Sequence, residues 1–516
     1  MAKNKFIEAV QAGYKVEGDS LELGAGIFEG EIIAEAKVRI PVKTMNRHGL
    51  IAGATGSGKT KTLQVLSEQL SNRGIPVLLM DIKGDLSGVA VKGESNPKIM
   101  DRHSKIGIPW QSNYCTAELL TLSNEKGVRL RATVIEFGPI LLSKILGLND
   151  TQQGVMAVVF KFSDDNQLPL LDLRDLQKVL TYITDAGKEE FESTYGKTSS
   201  ATVGTIVRKI VELEQQGADQ FFGERSFDVG DLVRKDEFGR GMVSIVRVTD
   251  LQDRPKLFST FMLQLLSEIY ATFPEKGDIE KPELVVFIDE AHLVFQEATS
   301  TLIQQIETMV KLIRSKGIGI YFVTQNPSDI PSGVLGQLGL RIQHALRAVT
   351  AKDRKDIKLA AENFPLTDFY QVEDLLTQLG IGEALVTALN EKGIPTPLVY
   401  TMLRAPESRM NILTEEEINN VVALSKIVPK YNEEVDRQSA YEILSGKLLP
   451  GSETATQEVV VEEEAGSDMM EKAKDVLGDI FNSPLTKQVG RTVARELTRG
   501  LLGSLGLGAL GKKRWF

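Results

Sequence analysis

Three short stretches of this 516-residue chain combine residue types and spacings that do chemistry. The first, Gly53-Ala54-Thr55-Gly56-Ser57-Gly58-Lys59-Thr60-Lys61, fits G-x-x-x-x-G-K-[ST] and lies between a short apolar run and a segment of helical spacing. Glycines let such a loop wind around phosphate oxygens with its N–H groups pointing inward, at backbone angles a Cβ would forbid. The helix that follows adds the positive end of its dipole. Lys59 is expected to bridge the β- and γ-phosphates and the Thr60 hydroxyl to ligate Mg2+, so residues 53–61 read as a binding loop for a nucleoside triphosphate.

The second stretch, LVVFIDEAH, ends an apolar run with Asp289 and Glu290. Ligands of open parallel sheets bind at such strand ends. Asp289 is expected to hold Mg2+ through water, and Glu290 to polarise an attacking water as general base. The same pair also fits the start of a surface helix, Asp289 as N-cap and Glu290 near the dipole. The third stretch, IGIYFVTQ, presents Gln325 at a strand end, either as a sensor of the γ-phosphate or in a loop closed by Pro327. Arg314, Arg341 and Arg347 flank this strand and the next, and any of them can serve as an arginine finger or remain solvated.

Parallel strands and helices must position these groups. HGLIA (48–52) reads as a strand, and Leu63, Leu66 and Leu70 share one face of the helix that follows the glycines. IPVLLMDIKGD (75–85) is the next strand, which makes a parallel βαβ unit. Further apolar runs at 283–292, 318–331 and 340–347 extend the sheet, and 383–389 with 396–403 read as its far edge. Between them, residues of about 102–275 read as a large, mainly helical insertion.

Composition narrows the class. At 42% hydrophobic and 25% charged, the chain is globular and long enough for two to four units. The single cysteine, Cys115, excludes an intramolecular disulfide and receives no catalytic role; with no signal-like or membrane-spanning run, a cytoplasmic location is expected. A net charge of −10 offers no global attraction to nucleic acid.

Taken together, GATGSGKT, MDIKGDLSG, VVFIDEAH, KLIRSKGIGIYFVTQNPSDIP and LRIQHALRAVTAKDRKDI resemble the HerA-like ATPases of the HerA/FtsK superfamily, in particular the bacterial YjgR-type branch. That resemblance spans most of residues 20–500. It implies an α/β fold: a RecA-like, additional-strand P-loop core with a parallel sheet, a large helical insertion and a C-terminal helical tail. It further implies a hexameric homo-oligomer that moves double-stranded DNA with ATP and Mg2+, in company with a nuclease or another protein partner. By position, Lys59 and Thr60 match the Walker-A pair, Asp289 and Glu290 the Walker-B pair, and Gln325 the sensor. Arg314 matches the arginine that acts in trans, with Arg347 as a second candidate.

The expected organisation is a short strand-rich N-terminal segment, 1–44, in place of the family's longer barrel, and an ATPase core, 45–405. A helical extension, 406–447, an acidic linker, 448–466, and a tail of amphipathic helices with a Gly-rich basic end, 467–516, follow. In the tail Lys487, Arg491, Arg495 and Arg499 recur every four residues opposite an apolar stripe, a pattern that fits docking on a neighbouring domain better than lying on an anionic membrane or on nucleic acid. The acidic balance also keeps open a nucleotide-gated scaffold that binds a protein partner and does not act on DNA.

Overall fold

Every residue of the strands Gly49–Ala52, Val77–Asp81, Leu284–Ile288 and Ile318–Thr324 is buried, because the sheet they form is covered on both sides. The computed structural model describes residues 1–447 apart from Asn124, 250–253, Asp278, Glu297, Thr299, Glu434 and Asp436. The acidic linker and the tail helices expected beyond 447 lie outside the described residues.

Twelve strands form one sheet: β1 (Ser20–Phe28), β2 (Glu31–Pro41), β3 (Gly49–Ala52), β4 (Val77–Asp81), β5 (Ala117–Thr121), β6 (Val128–Arg129), β7 (Val243–Arg247), β8 (Leu284–Ile288), β9 (Ile318–Thr324), β10 (Leu340–Gln343), β11 (Glu383–Thr387) and β12 (Val399–Leu403). Their spatial order is β2-β1-β12-β11-β10-β3-β9-β8-β4-β7-β5-β6. From β10 to β6 every pairing is parallel. From β10 to β2 every pairing is antiparallel. Successive residues of β4 and β8 enter opposite cores: Leu78, Met80, Val286 and Ile288 on one side, Val77, Leu79, Val285 and Phe287 on the other. A strand buried on both faces has no polar side to alternate with, which is why these runs are continuously apolar.

Two expectations about organisation are corrected. Residues 20–41 do not form a separate reduced barrel: β1 pairs with β12, so the N-terminal segment is the edge of the central sheet, and β11 and β12 lie inside it. The stretch 102–275 is not one helical insertion, since β5, β6 and β7 belong to the sheet. The helical excursion runs between β6 and β7, through Val134–Ile145, Asp150–Asp165, Leu173–Tyr182, Lys188–Tyr195 and Ser200–Glu214. AELLT and the two-residue β6 are too short for a period to show in sequence.

The helix after the glycine loop, Lys59–Asn72, buries more than its leucine face. Glu68 accepts hydrogen bonds from the backbone N–H groups of Glu407 (2.9 Å) and Ser408 (2.8 Å), and Gln64 donates to Ser408 Oγ (2.7 Å) and the Arg409 carbonyl (2.8 Å). Buried polar groups are tolerated when satisfied in this way, and here they fix the helix against residues 407–409.

Candidate active site

The glycine loop is anchored at its start by the ends of two neighbouring strands. Gly53 N–H donates to the Thr324 carbonyl after β3 (3.2 Å), and Ala54 N–H donates to the Ala345 carbonyl beyond β10 (2.7 Å). Gly53 and Gly58 have φ of +151° and +115°, and a Cβ on Gly53 would stand 2.5 Å from His344 Cβ. Both backbone angle and contact therefore demand glycine at 53. Lys59 curls onto its own loop, donating from Nζ to the carbonyls of Gly53 (2.6 Å) and Ala54 (3.2 Å). Burial first, and nearby Lys83 second, hold its pKa below the usual lysine range, a strain that a phosphate anion in the loop relieves. Beneath the loop His344 is fully buried, with Nε2 2.9 Å from Thr62 Oγ1 and Nδ1 without a hydrogen-bond partner.

A cluster of carboxylates faces this loop. Asp289 and Glu290 follow β8 directly and are both buried, so they do not form the cap of a surface helix. The short helix His292–Phe295 that follows has no side-chain cap bond. Asp289 Oδ2 has no hydrogen-bond partner, and burial together with the adjacent Glu290 charge pushes its carboxyl up to about 7. Glu290 has a left-handed backbone, φ +45°, a conformation that costs a non-glycine residue about 1–2 kcal/mol and concentrates at functional sites. Its carboxylate forms an ion pair with Lys83 and stands 3.2 Å from His292 Nδ1. Burial pushes this carboxyl up, but His292 and Lys83 outweigh it and hold the pKa at about 2.

Two of these groups, Lys83 and Asp85, were not assigned from sequence, although MDIKGDLSG contains them. Asp81, the last residue of β4, accepts from the backbone N–H groups of Gly84 (2.7 Å), Asp85 (3.1 Å) and Leu86 (3.1 Å), which folds a tight loop. That loop presents Lys83 to Glu290 and Asp85 to Thr60, whose Oγ1 lies 3.3 Å from Asp85 Oδ2. The available signal was an aspartate ending an apolar strand, with a glycine three residues on.

The donor set fits Mg2+. Asp289 Oδ2 and Asp85 Oδ1 are both buried without partners, and the Thr60 hydroxyl lies beside Asp85. No group of three or more His, Cys, Asp or Glu residues that could hold a metal occurs among the described residues. Mg2+ in phosphate sites uses only one or two carboxylates and takes its remaining ligands from water and substrate.

Gln325 follows β9, with Nε2 3.5 Å from Glu290 Oε2, at the long limit of a hydrogen bond. Asn326 caps the turn Pro327–Asp329 and donates from Nδ2 to Asp356 Oδ2 (3.0 Å). The arginines separate. Arg347 donates to the Thr55 carbonyl of its own loop (3.3 Å) and lines a cleft of about 310 Å³ with Gln325. Arg314 lies before β9, at the opposite end of the sheet, in a cleft of about 470 Å³ lined also by Arg47, Lys311 and Arg341. Cys115 is buried and burial pushes its thiol upward, in keeping with no catalytic role.

The model of the helicase HerA-like C-terminal family matches residues 29–514. The chain belongs to the HerA-like family. It is 25% identical over 364 residues to the DNA double-strand break repair helicase HerA of Sulfurisphaera tokodaii, covering 69% of this chain and 66% of the relative. With the HerA of Sulfolobus acidocaldarius it shares 22% over 371 residues, 71% of this chain and 67% of the relative. The chain thus spans about two thirds of these relatives' lengths. Among solved structures, the bacterial conjugative coupling protein TrwB superposes with a TM-score of 0.51 at 13% identity, over 79% of this chain and 94% of TrwB. TrwB in complex with ADP and Mg2+ gives 0.51 at 12% identity, over 78% and 94%. These likenesses establish the RecA-like P-loop ATPase fold of this HerA-like chain. No helix among the described residues is long and apolar enough to cross a membrane.

Proposed function

We propose that this HerA-like chain is an Mg2+-dependent ATPase motor that assembles into a ring, hexameric by resemblance, and translocates on double-stranded DNA. The carrying observation is the split of the site. The phosphate loop and carboxylates lie at the C-terminal ends of the parallel strands, whereas Arg314 lies at their N-terminal ends, out of reach of its own loop. A second copy supplies Arg314 in trans in this reading.

The loop amides and Lys59 hold the β- and γ-phosphates. Thr60, Asp289 and Asp85 would hold Mg2+, which would supply positive charge to offset that of the phosphates. Glu290 is ionised across the physiological range, so it orients the attacking water through its carboxylate and accepts the water's proton as the phosphoryl bond breaks. Gln325 shares Glu290 Oε2 and reports the state of that water to β9. Arg347 steadies the loop through Thr55, and Arg314 from a neighbour stabilises charge on the γ-phosphoryl.

The test is ATPase rate against added double-stranded DNA over a salt series, on protein whose mass in the presence of nucleotide is known. Stimulation that weakens as salt rises is expected, because phosphate contacts release counterions. A rate indifferent to DNA at every salt eliminates the translocase. The net charge of −10 favours, in that event, a nucleotide-gated scaffold that engages a nuclease or other protein partner.

A further inference from the structure

The helix Ala351–Glu362 segregates its charges in a way that folding does not require. Its two inner acids are consumed locally. Asp353 Oδ2 accepts from the backbone N–H groups of Val349 (3.0 Å) and Thr350 (2.7 Å), and Asp356 Oδ2 accepts from Asn326 Nδ2 (3.0 Å). Ile357 and Ala360 face the core. Lys352, Arg354, Lys355 and Lys358 are left exposed, and none forms a salt bridge or hydrogen bond with a described residue.

This arrangement works against the helix. Lys352 and Arg354 set positive charge in the first turn, where the helix dipole disfavours it. Lys352 with Lys355, Arg354 with Lys358 and Lys355 with Lys358 stand three or four residues apart, the spacing at which like charges repel; Glu362, the one exposed acid of the helix, stands at that spacing from Lys358 alone. The helix Val372–Gln378 packs against helix 351–362, and its acids Glu373 and Asp374 form no salt bridge with the stripe. A self-repelling row of cations gains stability when a polyanion lies along it.

The other face of the same helix reaches the ATP site. Asp353, Asp356 and Ile357 line the cleft that holds Thr55, Gln325 and Arg347. Asn326 is the bridge: it adjoins Gln325, which contacts Glu290, and its side chain holds Asp356.

We propose that the exposed face of helix 351–362 contacts the phosphodiester backbone of the DNA, and that the Asn326–Asp356 hydrogen bond carries this engagement to Gln325 and Glu290. The inference rests on the DNA-motor reading above and names both the contacting surface and the coupling element.

The test compares the full chain with a Lys352→Ala, Lys355→Ala, Lys358→Ala triple variant and with Asn326→Ala, using double-stranded DNA and following binding, basal ATPase and stimulated ATPase. The triple variant keeps the basal rate and melts no lower than the wild type, loses stimulation, and binds DNA with a log–log salt slope smaller by about 2–3. Asn326→Ala binds DNA with the wild-type slope yet loses most of the stimulation. If the triple variant binds and responds as wild type does, the surface is wrong. If Asn326→Ala keeps full stimulation, the coupling is wrong. A wild-type chain that ignores DNA overturns the motor reading and this inference with it. A triple variant that instead loses an acidic protein partner while keeping DNA binding assigns the face to that partner and overturns the proposal.

Discussion

The two ends of the parallel strands are opposites in charge and in what they lack. At the C-terminal end, Asp85, Asp289 and Glu290 surround Lys59 in buried surroundings, with carboxylate oxygens of Asp85 and Asp289 left without partners. At the N-terminal end, Arg47, Lys311, Arg314 and Arg341 line an open cleft with no carboxylate among its lining residues. In the function proposed above, the first end holds a phosphate chain and its cation and the second meets an anion. Within one copy the sheet keeps them apart. That proposal completes the site between copies, with the cationic end of one chain set against the phosphate end of the next.

The largest expected effect tests the phosphate end alone. Lys59→Ala removes the cation at the centre of the loop, and nucleotide binding, followed by calorimetry, is expected to fall below detection together with turnover. The trans arrangement comes next. Arg314→Ala is expected to lower turnover by about 10³-fold or more with nucleotide affinity unchanged, and Glu290→Gln by about 10²–10⁴-fold. Mixing the two inactive variants should restore part of the rate, because an intact Glu290 in one copy then faces an intact Arg314 in another. No recovery at any mixing ratio would remove the trans assignment and with it the meaning of the comparison.

Asp85→Ala sharpens the acidic end. With one of the two carboxylates that carry a partnerless oxygen gone, half-maximal rate should need about 10–100-fold more Mg2+, read from a metal titration at saturating ATP; an unchanged requirement would leave Asp289 and Thr60 as the metal-holding residues.

The smallest effect compares a buried histidine at each end. His48 accepts from the Ile320 N–H (3.0 Å) beside the basic cleft, and His344 lies under the phosphate loop; burial holds both near a pKa of about 4. A folded-state value below the unfolded value of about 6.5 means stability that is present above pH 6.5 and is lost as pH falls through about 4, up to roughly 3 kcal/mol for each group. Asp289 shifts the opposite way, so the informative quantity is the difference from wild type. Melting temperatures of His344→Gln and His48→Gln between pH 7 and 4 should each fall less steeply than those of the wild type. A parallel pair of curves would show that the histidine is not carried as the neutral form.

Legibility in the sequence followed the range of the interaction. The loop 53–61, Asp289, Glu290 and Gln325 were readable because each is set by a strand end and its next few residues, and the fold keeps those strands adjacent. Arg314 and Arg347 were both readable as arginines flanking β9 and β10, yet nothing local separates them; the direction of β9 and the turn after β10 do. Lys83 and Asp85 were missed because their partners, Glu290 and Thr60, are distant in sequence. The N-terminal strands were misjudged for a similar reason, since β1 finds its partner β12 near the other end of the described chain.

By itself the sequence determined which chemistry is present. Glycines at required angles, one lysine, a threonine and strand-ending acids are properties of short segments, and local backbone geometry suffices to specify them. Tertiary structure alone decided which charges meet. Burial left Asp85 Oδ1 and Asp289 Oδ2 without partners, the loop after β4 brought Lys83 to Glu290, and the sheet's polarity sent Arg314 away from its own phosphate loop. Charge pairing depends on distance through space and on loss of water, and neither is written in the spacing of residues along a chain.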